Sequence, residues 1–436
     1  MLLNKKLLSF FLFVNFYISL IPRLTFANPQ HPSSGELAQL IQEALKNNPE
    51  LSAIKNQAEK YRYQFKAAGS YDDPQITYEV MNLPIDTYSL QQTPMSGKKV
   101  SISQKIPFPG KLSTKQKAAY LQFEASLHRF KQKQYEIIYN VKKNYYELFK
   151  AIKTTHILEE QKKLIKQLIV SARSKYTLGK IPQTEVINFQ MEETDLISKI
   201  LISKRKITIA KNNLAKVIGS SQLPFPIKAL SITKKPLEFN SLNAQNLVKR
   251  VLSNNHLLKA FELQRLSSEK KIQLSKLEYF PDFNLKASYT FREPNPSDEG
   301  TDFTSFMASI NIPLWFFSKQ NNNVRSTQSA LARATSLVKN QKLKLINLTQ
   351  NIYAELEESS KTLMLFEKTL LPLAKQAVRS GKSAYLSGKV DYSTLLASIN
   401  TRFNTELKFY FALANYETLV AKLEALLAEP INKVNP

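Results

Sequence analysis

The chain has 436 residues, no cysteine, nine glycines and a formal net charge of +26. The absence of cysteine excludes disulfides, thiolate metal sites, cysteine nucleophiles and thiol-linked lipid anchors. The sequence contains neither a Rossmann nor a P-loop glycine pattern. The four histidines, His31, His128, His156 and His256, stand singly and indicate neither a metal cage nor a catalytic dyad. We therefore expect no enzyme, no cofactor and no resident metal.

The charge comes from 61 lysines and arginines against 35 acidic residues. Such an excess of positive charge makes nucleic acid, anionic lipid and acidic substrates candidate partners. The basic residues are spread along the whole chain and do not form one patch. This spread favours an ordinary solvated face, or a face between subunits, and we expect no nucleic-acid partner.

Residues 1–27 have the pattern of an export signal. Lys5 and Lys6 precede an apolar run at 7–21, and Ala27 closes a small-residue cleavage pattern. The alternative is an N-terminal anchor helix, which needs about 20 apolar residues, more than this run supplies. No later stretch is apolar enough to cross a bilayer as a helix, so a membrane location would require a closed β-barrel or a surface helix.

The remainder of the chain is an internal duplication. Residues 40–48 match residues 247–255 at an offset of 207, and Pro74 pairs with Pro281 at the same offset. The turn sequences starting at Tyr176 and Tyr385 pair at an offset of 209. Several anchors in one order, with nearly constant spacing, indicate two copies of one large unit and exclude a short solenoid repeat.

Each copy is predicted to contain a helix pair, two strands, a long helix and a returning helix. The first repeat, 28–240, has the helix pair at 34–69, strands at 74–82 and 99–107, a long helix at 111–178, a returning helix at 183–218 and an equatorial segment at 220–240. The second repeat, 241–436, has the helix pair at 241–278, strands at 281–291 and 303–313, a long helix at 319–384 and a returning helix at 392–428.

The predicted strands alternate apolar and polar residues, as half-exposed strands do. The alternation is clearest at 283–291 and 306–312 and weakest at 74–82. Each strand is close to the 9–11 residues that a transmembrane strand needs. Four strands are too few to close a membrane barrel, because bacterial barrels start at eight strands. Either several copies share one barrel, or the strands form a small soluble sheet packed on helices.

The predicted long helices determine the dimensions of the protein. Between Gly110 and Gly179 there is neither another glycine nor a proline, which allows a helix of roughly 100 Å at 1.5 Å per residue. The second long helix contains Pro372, where we expect a kink. Apolar residues in both helices step by three and four positions, which is typical of coiled-coil packing.

This layout resembles the TolC-like outer-membrane efflux protein family over essentially the whole mature chain. The resemblance rests on the duplicated strand–strand–long-helix order and on the paired turns Tyr176-x-x-Gly179 and Tyr385-x-x-Gly388. It implies a mixed fold of α-helical coiled coil and β-barrel. In that fold, three chains contribute four strands each to a twelve-stranded outer-membrane barrel, and their helices form a long tunnel in the periplasm.

A second motif narrows the resemblance to one branch of the family. Residues 103–112, SQKIPFPGKL, are preceded by Asn82-x-Pro84 and Pro94-Met95, and this combination is most similar to the heavy-metal-efflux branch. The resemblance implies a homotrimer in contact with outer-membrane lipid. It also implies two protein partners, a periplasmic adaptor (membrane fusion) protein and an inner-membrane pump of the resistance-nodulation-division type.

The resemblance assigns the two turns to the periplasmic tips, where the adaptor docks and the tunnel closes. The residues implied in docking or gating are Tyr176, Gly179, Lys180, Glu185, Tyr385, Gly388, Lys389, Asp391 and Thr394.

Family members often carry an acidic ring just after the second tip, and this sequence departs from that pattern. The two expected positions hold Thr394 and Ala397, while the first repeat has Glu185 and Asn188 there. Asp391 is the only acid near the second tip. The ring is therefore weakened or moved, or the two acids are ordinary helix N-terminal residues that the helix dipole favours.

The leading hypothesis is a passive outer-membrane exit duct of a tripartite efflux system, with heavy-metal ions as cargo. One alternative within the same architecture is a duct for drugs or secreted polypeptides. Another is a basic periplasmic coiled-coil scaffold that binds envelope polyanions, which would leave the four alternating strands unexplained.

Overall fold

The computed structural model describes residues 35–229, 231–232, 243–295 and 297–431. The predicted export signal at 1–27 lies outside these residues, as do positions 230 and 233–240 of the predicted equatorial segment. The described residues belong to one structural unit. Within them, no helix combines the length and hydropathy needed to cross a membrane.

Helices and strands follow one another in the same order in both halves. The first half contains α1 (Glu36–Asn47), α2 (Pro49–Ala68), β1 (Gln75–Met81), β2 (Gly97–Ile106), α3 (Lys111–Thr177) and α4 (Gln183–Ile218). The second half contains α5 (Ala244–Asn254), α6 (His256–Leu277), β3 (Phe283–Phe291), β4 (Phe303–Ile310), α7 (Gln320–Leu365), a π-helical turn (Phe366–Leu370), α8 (Leu371–Leu386) and α9 (Tyr392–Leu427).

Two buried asparagines show that the halves are copies in structure as well as in sequence. Asn48 starts α2 by accepting a hydrogen bond from the Leu51 N–H, and its side-chain amide donates to the Val217 carbonyl near the end of α4. Asn255 starts α6 in the same way, and its amide donates to a carbonyl near the end of α9. Each asparagine thus caps one helix and joins it to the returning helix of its own half.

The four strands form one antiparallel sheet in the order β1-β2-β3-β4. The central pair, β2 and β3, joins the two halves, with Ile102 opposite Ala287. Apolar side chains on the strands are exposed in the single chain, including Ile76 at 76% and Phe306 at 86%. The sheet therefore presents a large apolar surface, and within the described chain β1 and β4 each have one edge without a strand partner.

Prolines limit the strands at the end of the sheet nearest the long helices. Pro74 precedes β1, Pro107 follows β2 and Pro281 lies before β3. The strand expected at 303–313 ends earlier, at Ile310, and Pro313 lies just beyond it. Proline has no N–H to donate to the ladder, so pairing stops near each of these positions.

The second long helix, expected at 319–384 with a kink at Pro372, is divided near that proline. It divides into α7 and α8 at the π-helical turn directly before Pro372. Pro372 cannot donate the usual backbone hydrogen bond, and the Leu371 N–H instead donates to the Phe366 carbonyl, five residues back. The equivalent helix of the first half, α3, has no proline and runs for 67 residues, about 100 Å.

The buried residues form separate clusters along these helices. One cluster joins α3, α4, α8 and α9 near the turns and includes Ile165, Phe189, Leu196, Tyr385 and Phe403. Another joins α5, α6, α7 and α9 nearer the asparagine caps. The first cluster supports the two turns that the family resemblance predicts to be the tips.

Candidate functional site: the paired helical turns

The turn between α3 and α4 is a left-handed helix cap. Gly179 has a φ of 69°, its N–H donates to the Tyr176 carbonyl, and the Lys180 N–H donates to the Lys175 carbonyl. These two bonds form a Schellman motif, which satisfies the last carbonyls of α3. A Cβ on Gly179 would meet no atom within 4 Å, so the requirement for glycine here is conformational rather than steric.

The turn between α8 and α9 repeats this backbone. Gly388 has a φ of 75°, its N–H donates to the Tyr385 carbonyl, and the Lys389 N–H donates to the Ala384 carbonyl. The Tyr-x-x-Gly-Lys pattern of the sequence therefore corresponds to one cap geometry used twice. Both lysines of the pattern are exposed at the turns.

The two tyrosines of the pattern have opposite environments. Tyr176 is 44% exposed, whereas Tyr385 is only 2% exposed. The Tyr385 ring packs edge-on against Phe189 of α4, with ring centroids 6.1 Å apart. Burial, together with the neighbouring Glu185 carboxylate, raises the pKa of Tyr385 to about 12.

Tyr385 is held by two side chains from the other half of the chain. Its hydroxyl donates to Glu185 Oε2 at 3.2 Å. Lys175 Nζ donates to the Tyr385 carbonyl at 2.6 Å and lies 4.4 Å from the centroid of its ring. These three residues, which we call the tip clamp, fasten the end of α8 to the end of α3 and the start of α4.

Asp391 has a local role at the start of α9. Its carboxylate accepts hydrogen bonds from the Thr394 N–H at 2.9 Å and the Ser393 hydroxyl at 2.8 Å. Hydrogen bonds from the Thr394 side chain, from the Thr394 N–H and from the Ser393 hydroxyl lower the pKa of Asp391 to about 2. Asp391 is thus an exposed N-cap of α9.

Four of the nine predicted tip residues form two separate hydrogen-bonded pairs. The structure brings Glu185 and Tyr385 into contact, while Asp391 and Thr394 bond to each other. Sequence reasoning missed Lys175 and Phe189. Lys175 directly precedes the Tyr176 turn, and Phe189 lies one helical turn after Glu185, so helical spacing from the known motif could have indicated both.

Comparison with known proteins identifies the family. The sequence profile described as outer membrane efflux protein matches residues 40–220 and again 247–429. The chain belongs to the outer membrane efflux protein family. The two matches begin 207 residues apart, which is the offset of the internal repeat.

Individual relatives are distant but extend over most of the chain. The probable outer membrane lipoprotein SilC of Salmonella typhimurium is 23% identical over 419 residues, covering 90% of this chain and 84% of that protein. The solved structure of CusC is 15% identical, with a TM-score of 0.76 over 94% of this chain and 98% of that one. The outer membrane protein VceC of Vibrio cholerae is 16% identical, with a TM-score of 0.73 over 90% of this chain and 96% of that one.

These comparisons confirm the fold predicted from the sequence, a duplicated helical tunnel unit that carries strands for a barrel. They also confirm the location, which is the outer membrane with the helices in the periplasm. The family consists of efflux channels, so this member is a passive channel protein rather than an enzyme.

Proposed function

We propose that three copies of this chain form the exit duct of a tripartite efflux system. The observation that carries this proposal is the four-stranded sheet with exposed apolar side chains and two free edges in the described chain. Unpaired strand edges in lipid leave backbone groups without hydrogen bonds, at a cost of several kcal/mol each. Twelve strands from three chains would remove every such edge.

The helices supply the second part of the duct. Three copies of α3, about 100 Å long at 1.5 Å per residue, together with their returning helices would surround a tunnel in the periplasm. The turns at Gly179 and Gly388 lie at the ends of these helices farthest from the strands. A periplasmic adaptor protein would dock there and connect the duct to a resistance-nodulation-division pump, which supplies the energy.

The tip clamp is the proposed resting lock of the duct. Lys175, Glu185 and Tyr385 hold the α8–α9 hairpin against the α3–α4 hairpin within one chain. Adaptor docking would exchange these contacts for others and let the α8–α9 hairpin rotate outward, a shift between two packings. The exposed residues at the turns, Tyr176, Lys180 and Lys389, are free to meet the adaptor.

The proposed cargo is heavy-metal ions. This part rests on the similarity of residues 103–112, with Asn82-x-Pro84 and Pro94-Met95, to the heavy-metal branch. The proposed conduction path does not depend on an acidic ring after the second tip, since Thr394 and Ala397 occupy those positions and Asp391 is engaged as a helix cap.

A deletion strain tests function and cargo together. It would be challenged with metals, antibiotics and detergents, with and without the wild-type chain restored. Sensitivity to a few metals alone would support a duct for metal ions. Broad sensitivity to drugs and detergents would mean that the protein is a duct for those compounds instead of metals. No sensitivity, together with extraction of the protein without detergent, would overturn the duct in favour of a periplasmic scaffold.

A further inference from the structure

Two histidines that stand far apart in the sequence meet in the structure. His128 lies on α3 of the first half, and His256 is the first residue of α6 in the second half. Their Nδ1 atoms are 3.1 Å apart, and both side chains are half-buried. The remaining described histidine, His156, is exposed elsewhere on α3, with 62% of its side chain accessible.

We propose that His128 and His256 form a binding site for a borderline divalent transition-metal ion such as Zn²⁺. Imidazole nitrogens bind Zn²⁺ at about 2.0–2.1 Å, and two nitrogens 3.1 Å apart would then subtend about 100° at a shared ion, close to tetrahedral geometry. Linear two-coordinate ions would need the nitrogens about 4 Å apart at the same bond length. The site lies on the tunnel wall, away from the tip clamp, and is independent of the cargo.

The surroundings keep both imidazoles in the form that binds metal. Burial, His128 and the nearby Lys131 and Lys259 lower the pKa of His256 to about 4, and burial with the same two lysines lowers the pKa of His128. A neutral imidazole has a lone pair available for a metal ion. In the metal-free pair, one Nδ1–H donates to the other Nδ1. Binding of the ion to both Nδ1 atoms would leave each ring with its proton on Nε2, so both imidazoles stay neutral and no net proton is released.

The same surroundings limit the affinity. Lys131 and Lys259 repel a cation, and no group of three or more His, Asp or Glu suitable for a metal ion occurs in the described residues. Water would complete the coordination, as in open zinc sites. We expect a dissociation constant in the micromolar range, weaker than the binding of structural zinc.

The consequence of binding is a link between the repeats. An ion on these nitrogens would tie α3 of the first half to α6 of the second, next to the Asn255 cap that joins α6 to α9. A ligand that binds only the folded state stabilises it. Metal in the periplasm would therefore stiffen the tunnel wall at this level.

Calorimetric titration of the chelator-treated full-length trimer in detergent with ZnSO₄ tests this site. We expect one Zn²⁺ per chain and a rise in melting temperature. His128→Ala and His256→Ala should each weaken this binding at least tenfold. His156→Ala and His31→Ala serve as matched controls and should leave it unchanged.

Two further measurements keep the outcome decisive if an alanine variant folds poorly. His128→Gln retains a polar side chain of similar size and should also lose Zn²⁺ binding. Melting curves recorded with and without ZnSO₄ should show the rise in melting temperature in the wild type and not in His128→Gln. Equal binding by the wild type and the His128 variants, or no binding at all, would show that the pair is only a hydrogen bond and overturn the proposal.

Discussion

The turns at Gly179 and Gly388 have the same backbone but different side-chain surroundings. Both are Schellman caps with glycine at positive φ, yet Tyr176 is half-exposed and Tyr385 is buried. Duplication therefore preserved the local geometry while the two copies diverged in their contacts. The turn geometry follows from neighbouring residues along the chain, whereas the environment of each tyrosine depends on which helices pack around it.

The sequence explains why the tip clamp exists on one side only. At the repeat offset of 209, Lys175 corresponds to Ala384, and Glu185 corresponds to Thr394. The second half thus lacks both side chains that would be needed to hold Tyr176 as the first half holds Tyr385. This asymmetry would allow one hairpin to be restrained while the other stays exposed for a partner.

The largest expected effect separates the two tyrosines. Tyr385→Ala removes a buried aromatic side chain and should lower the free energy of unfolding by about 3–5 kcal/mol. Tyr176→Ala at the half-exposed position should change it by less than about 1 kcal/mol. Denaturant unfolding of the two purified variants measures both values. Similar losses would contradict the difference in burial.

The glycines should behave alike where the tyrosines differ. Gly179→Ala and Gly388→Ala each place a Cβ at positive φ with no neighbouring atom in contact. We expect each to lose about 1–2 kcal/mol from the same backbone strain. The same unfolding experiment measures this loss. A much larger loss at one glycine would mean that the two turns are not equivalent.

Removing one charge of the tip clamp tests the proposed lock. Glu185→Gln weakens the hydrogen bond from the Tyr385 hydroxyl, at a cost of about 1 kcal/mol, and should increase single-channel conductance in planar bilayers. Asp391→Asn is the matched control, because Asp391 caps α9 and does not touch the clamp. Equal conductance of the two variants would show that Glu185 does not help to hold the duct closed.

Titration should distinguish the two turns at opposite ends of the pH scale. The pKa of Tyr385 is raised to about 12, so its contribution to stability is complete below about pH 10 and is lost as the pH rises through about 12. The pKa of Asp391 is lowered to about 2, so its smaller contribution is present above about pH 4 and is lost as the pH falls toward 2. Absorbance of tyrosinate in the wild type and in Tyr385→Phe, with melting curves of Asp391→Asn in acid, would measure these two effects.

Long-range contacts account for what sequence reasoning missed. The partners in the tip clamp are about 200 positions apart, and those in the histidine pair are 128 apart. The histidines are widely spaced along the chain, and this spacing alone predicts single residues. Packing of α3 against α6 brings two of them within hydrogen-bonding distance, and no local pattern in the sequence indicates this contact.

The division of the second long helix was only partly predicted. Pro372 marked an irregularity, because proline lacks the N–H that the helix requires. The irregularity takes the form of a π-helical turn between α7 and α8. This form depends on which N–H groups donate hydrogen bonds to the carbonyls of the preceding turn. Packing of the neighbouring helices selects among the kinks that the proline allows.

The sequence by itself determined the duplication, the order of helices and strands, the positions of both glycine turns and the family. These features depend on periodicity, on residues with restricted φ or missing N–H groups, and on short motifs, all of which act between near neighbours. Only the tertiary structure decided that Tyr385 is buried and Tyr176 exposed, that Lys175 and Glu185 act together, and that His128 meets His256. Those outcomes depend on side chains from distant segments, whose contacts exist only after the helices have packed.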